Sequence, residues 1–212
     1  MPKALILLFL LSLAGSAGAH PVIFQGGTVV SSANMPSLSD NQLMYSWTSR
    51  WATGFNHWRF SEGQDNTELY LAKANYLLYR KNAEASQGNV YLHAGAGAVD
   101  SELDRRATEE VYMAGVDLDW ETRTLYTSLK SYYFSSPGVT DLTMTQARVG
   151  VSPFEAAYDQ LQAWVMLQAM YTPEVQREVM LTPLLRFFYR NVLWELGAST
   201  RGDWMLNLMV HY

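Results

Sequence analysis

Residues 202–212 read "GDWMLNLMVHY", a closing stretch whose polarity alternates without a break. Trp204, Leu206, Leu208, Val210 and Tyr212 share one face of an extended chain, and Met205, Asn207, Met209 and His211 share the other. The pattern predicts a strand over 204–212 that ends on an aromatic.

The same period of two recurs upstream. It predicts strands over 43–55, 68–80, 89–98, 110–121, 124–134, 142–152, 161–171, 178–189 and 192–199, separated by turn-forming stretches such as "ETR" and "YRN". Pro183 weakens pairing within one of them. For residues 154–171, "FEAAYDQLQAWVMLQAMY", a helix is the competing reading, because helix formers dominate and β-branched residues are few. The fold class that follows is all-β, a small antiparallel transmembrane β-barrel of about ten strands, or eight if two weak segments are loops. An even count puts both ends of the barrel chain on one side. The longer connections "NHWRFSEGQDN", "VDSELDRRATE", "SSPGVTD", "TPEVQR" and "TRGD" then fall on the other.

Composition narrows the function. The chain has 212 residues, enough for one domain with a sizeable interior. Aromatics make up 13% of it, with 7 Trp and 13 Tyr, and no later stretch reaches the roughly 18 apolar residues of a spanning helix. It contains no Cys, which excludes a disulfide framework, a thiolate metal site, a catalytic thiol and an acylated N-terminal cysteine. Lys3, the apolar run "ALILLFLLSL" and the small residues Ala17, Gly18 and Ala19 predict a signal peptide over 1–19, cleaved after Ala19. Removing Lys3 moves the formal charge from -5 to -6, and so acidic a chain lacks the basic face that nucleic acid demands. Residues 20–41 read as a turn-rich leader, periplasmic or plugging the lumen, and 42–212 as the barrel.

The terminal "WMLNLMVHY" resembles the C-terminal signal by which bacterial outer-membrane β-barrels are recognised for assembly, carried here by Trp204, Leu206, Leu208, Val210 and Tyr212. The resemblance implies a Gram-negative cell outer membrane, with lipid, lipopolysaccharide and the barrel-assembly machinery as partners. It is to a class of proteins, so it brings no catalytic or binding residue with it. A monomer is expected.

The faces predicted to point inward collect Arg50, Lys73, His93, Asp117, Asp119, Lys130, Arg148, Arg186, Glu195, Asn207 and His211. With Arg190 and Asn191 as a two-residue turn, Arg186 falls across from Glu195, and Asn207 lies opposite Glu195 on the next strand. A paired network would fill a narrow barrel, because an isolated interior charge is costly. The same charges would also suit a water-filled pore.

Two other chemistries stand beside a non-enzymatic channel or structural surface protein. Inward Met166, Met170, Met180, Met205 and Met209 beside His211, with His20 at the predicted mature terminus, suit a soft ion such as Cu(I), although Met also fills irregular gaps. His20, Met205, Met209 and His211 are the metal candidates. A lipid-modifying enzyme would need a nucleophile, a base and an acid at one rim, for which His57, Ser61 and Glu62 are the candidates. No cofactor is expected.

Overall fold

A computed structural model of the chain describes residues 20–35, 37–62, 65–101, 109–137, 140–157 and 159–212. The predicted signal segment 1–19 lies outside the described residues. The rest forms a closed antiparallel barrel of twelve strands. They are β1 (Thr28–Met35), β2 (Leu38–Ser46), β3 (Trp51–Glu62), β4 (Asp65–Asn82), β5 (Ser86–Ser101), β6 (Glu109–Thr122), β7 (Leu125–Ser136), β8 (Thr140–Val151), β9 (Gln162–Thr172), β10 (Gln176–Tyr189), β11 (Val192–Ala198) and β12 (Trp204–His211). β12 pairs with β1, Val29 facing His211 and Asn34 facing Leu206, so no edge is left open.

Twelve strands replace the expected ten, and also the alternative of eight. The extra hairpin lies largely inside the stretch read as a leader, since β1 and most of β2 precede residue 42. β1, "TVVSSANM", mixes small and polar residues on both faces, so it carries no alternation to read. The strand expected at 43–55 is two strands. Thr48 Oγ1 accepts the amides of Arg50 at 3.1 Å and Trp51 at 3.0 Å, which turns the chain between β2 and β3. Tyr45, Trp47 and Trp51 all remain exposed across that turn, so the sequence alternation passed through it unbroken. Adding one hairpin shifts the strand count by two, and the sidedness of the loops is unchanged.

The competing helix does not form. Residues 162–172 are β9, paired along β8 and β10, because tertiary pairing outweighs the local preference of Leu, Gln and Met. Pro183 is accommodated in β10 just beyond the last rung with β11, which begins at Leu184 opposite Gly197. Its missing N–H therefore removes nothing from that ladder. At the turn after β10, Arg190 takes φ 55°, as a two-residue hairpin turn requires.

The outer wall is apolar and ends in two aromatic girdles. Near the chain termini Tyr45, Trp47, Trp51, Tyr79, Trp120, Tyr189 and Tyr212 are exposed. At the far end the exposed rings are Tyr70, Tyr112, Tyr133, Tyr171 and Trp204. Between them lie exposed aliphatics, among them Leu43, Leu92, Leu118, Val165, Leu185, Leu206 and Leu208. Trp204 and Tyr212 are separated by about 26 Å along β12 at roughly 3.3 Å per residue, close to the height of the apolar band of a membrane barrel.

Candidate functional site

The interior has three layers. At the far end it is packed with apolar side chains. Trp58 and Phe60 stack with centroids 5.8 Å apart, and Phe134 meets both edge-on at 5.5 and 5.6 Å. Around them Leu38, Leu69, Leu71, Val111 and Leu142 complete the layer with Met35, Met113, Met144, Met166, Met170, Met180 and Met205. Tyr132 fits here because position 115 is glycine: a Cβ there would come within 2.3 Å of its ring. Trp58 and Phe60 sit in a stretch read as an external loop, and β3 carries them into the lumen instead.

The middle layer is polar and encloses a cavity of about 110 Å³. Glu195, only 1% exposed, is its hub. It accepts hydrogen bonds from Arg186 Nε at 2.6 Å, Arg148 Nη1 at 3.1 Å and Asn207 Nδ2 at 2.5 Å. The register predicted from the Arg190–Asn191 turn is the observed one, with Arg186 opposite Glu195 and Glu195 opposite Asn207. Arg148 is a second cation on the same carboxylate, reaching from β8 while its Nε and Nη2 donate to Gln168 Oε1 at 2.9 and 2.7 Å. The Arg186 guanidinium also lies 4.5 Å over the Tyr126 ring.

A second group faces this hub across the cavity. Lys130 pairs with Asp117 at 3.2 Å, directly across strands. Lys73 Nζ donates to Gln42 Oε1 at 3.3 Å and lies 5.2 Å over the Tyr132 ring. Asp40 accepts from Asn56 Nδ2 at 2.6 Å, and the Asn56 oxygen takes the Trp58 indole N–H at 2.7 Å, which ties the polar layer to the apolar one. Asn75 donates through Nδ2 to the carbonyl of Pro21, so its oxygen faces His93 Nδ1 at 2.7 Å and receives that N–H. Asp40, Gln42, Asn56 and Asn75 were not among the residues predicted for this network. Two of them lie in the supposed leader, where no alternation pointed inward.

The third layer closes the end that holds the termini. Residues 20–23 fold into the mouth: Val22 packs against Val29, Met44, Leu77 and Tyr91, and the Ile23 amide donates to Ser46 Oγ at 3.2 Å. The His20 ring lies 3.7 Å from Asp119 and 3.6 Å from Glu121. Asp119 in turn accepts from Asn89 Nδ2 at 2.6 Å. His211 is buried at the same end, with neither ring nitrogen hydrogen-bonded.

Of the predicted inward residues, Lys73, His93, Asp117, Lys130, Arg148, Arg186, Glu195 and Asn207 gather in the middle layer, and Asp119 and His211 lie at the mouth. Arg50 does not join them: it sits exposed in the turn between β2 and β3, its carbonyl accepting from the Leu77 amide at 2.8 Å. The metal candidates also separate. Met205 belongs to the apolar layer, and His211 lies about 20 Å further along β12, at roughly 3.3 Å per residue. Among the described residues no three His, Asp or Glu side chains are arranged to hold a metal ion. His57 faces outward, stacked on Tyr70 and 3.4 Å from Glu68, while Ser61 donates to Asn66. Four residues along one strand hold His57 and Ser61 about 13 Å apart, too far for a base and its nucleophile. The Glu62 side chain lies outside the described residues.

No protein-family model matches the chain. No curated protein matches it either. Among solved structures it is similar to a KdgM porin in complex with disordered oligogalacturonate, at 10% identity and a TM-score of 0.49, covering 88% of this chain and 98% of that one. A second KdgM porin structure gives 10% identity and a TM-score of 0.48 with the same coverage. The translocator domain of the autotransporter NalP from Neisseria meningitidis gives 11% identity and a TM-score of 0.39, over 88% of this chain and 86% of that one.

Proposed function

We propose that this protein is an outer-membrane β-barrel that works as a narrow, normally closed channel for small polar solutes, without catalytic activity. The observation that carries this reading is a polar chamber inside a barrel whose outer wall is lipid-like. A barrel serving only as a surface scaffold has no use for a charged cavity between two plugs. On the outside, the aliphatic band and both girdles match the hydrocarbon core and its two interfaces. On the inside, the Trp58–Phe60–Phe134 layer is a hydrophobic constriction of the kind that gates by dewetting. The segment from His20 to Ile23 is the second closure, facing the periplasm. The surrounding lipid and lipopolysaccharide, and the assembly machinery that would read the terminal strand, belong to the same proposal, as does a monomeric state.

Single-channel recording in planar bilayers tests it. The intact chain is expected to be nearly silent. Deleting residues 20–27 together with Trp58→Ala and Phe134→Ala is expected to open a steady conductance, and either change alone a smaller or flickering one. A folded double-opened variant that stays silent would mean the barrel is a structural surface protein.

A further inference from the structure

The charges around the chamber do not cancel. Four cations, Lys73, Lys130, Arg148 and Arg186, face it or pair across it with three carboxylates, Asp40, Asp117 and Glu195. Lys130 and Asp117 neutralise each other. Arg148 and Arg186 share the single charge of Glu195. Lys73, 4% exposed, has an amide oxygen and an aromatic face as its neighbours, and no carboxylate of the described residues lies within 4.0 Å of its Nζ. Asp119 and Glu121 lie beyond the chamber, at the mouth, where His20 and Arg80 face them. A buried cation without a counter-charge is costly, and a bound anion removes that cost.

We propose that the chamber holds a small monovalent anion, a halide or a short-chain carboxylate, with Lys73 as its principal ligand. The inference does not depend on conduction, since a closed scaffold barrel with this interior would need the same counter-ion. The cavity of about 110 Å³ exceeds what a water needs and suits such an ion. The Lys73 ammonium has three donors, of which Gln42 takes one, and its stem is fixed across Tyr132. The two guanidiniums on Glu195 supply a positive opposite wall. Larger anions are excluded by the apolar layer on one side and His20 and Pro21 on the other.

The test uses the full chain refolded in detergent micelles, with ionic strength held constant by a bulky organic sulfonate that the chamber cannot admit. The thermal unfolding midpoint of the wild type is expected to rise with chloride or acetate concentration and to be flat in the sulfonate, as binding to the folded state alone requires. In Lys73→Met the half-saturating concentration should increase on the order of tenfold to a hundredfold, the usual worth of a hydrogen bond to a charged partner. Lys73→Arg should keep most of the effect. An equal rise with every anion, or an unchanged rise in Lys73→Met, overturns the proposal. Should Lys73→Met fail to fold, bromide NMR line broadening on the wild type decides: excess broadening by folded protein that acetate competes away supports the site, and its absence overturns it.

Discussion

Glu195→Gln is expected to lower the stability of the folded barrel by about 3 to 5 kcal/mol, the usual cost of removing one partner from a buried ion pair. The substitution keeps the shape of the side chain, so the loss measures charge and not a cavity. It leaves both Arg148 and Arg186 buried without a carboxylate, whereas Arg186→Ala leaves Glu195 still bound to Arg148 and Asn207. Arg186→Ala should therefore cost less than Glu195→Gln. The double variant should recover part of the summed loss, with a coupling of about 0.5 to 3 kcal/mol. Urea unfolding in micelles reads all three. Additive losses would show that the carboxylate is not the hub of the middle layer.

Leu208→Arg is expected to cost about 2 to 4 kcal/mol in lipid vesicles, the range for a cation at the bilayer midplane on the outer face of a barrel. Leu208 is 47% exposed and lies midway between Trp204 and Tyr212. Trp204→Arg, on the same face of β12 but at a girdle, should cost no more than about 1 kcal/mol of charge burial, because the penalty fades toward the interface. The comparison isolates depth from face. Asn207 is no neutral reference for it, since its amide is engaged by Glu195. Equal losses at 204 and 208 would mean that no depth gradient surrounds the strand.

Much of the barrel was legible because alternation survives where one face meets apolar surroundings and the other meets polar ones. β5, β6, β8, β9, β11 and β12 show that contrast, and their faces are the observed ones. β1 shows none, because Ser31, Ser32, Ala33 and Asn34 leave neither face distinctly apolar, and the closing seam was lost with it. Arg50 was misplaced because a four-residue turn preserves the parity of its flanking strands. The apolar layer was hidden for a different reason: Trp58 and Phe60 alternate with His57 and Arg59, so both faces of that end of β3 look polar-aromatic. Within the chamber, Arg186, Glu195 and Asn207 could be joined from sequence because tight register links neighbouring strands. Arg148 could not be joined to Glu195, since β9 and β10 lie between their strands and only the closed curvature brings them together.

The central claim, that the outer wall faces lipid, is tested most directly by nitroxide accessibility in bilayers. The chain has no cysteine, so each substitution introduces the only thiol. Labels at Leu185→Cys and Leu208→Cys are expected to collide with oxygen and be shielded from a water-soluble nickel chelate. At Trp204→Cys and Tyr212→Cys the two reagents should be nearly balanced, and at Arg123→Cys, in the exposed turn between β6 and β7, the nickel chelate should dominate. Nickel access at 185 and 208 equal to that at 123 would contradict the account, because the aliphatic band would then be facing water.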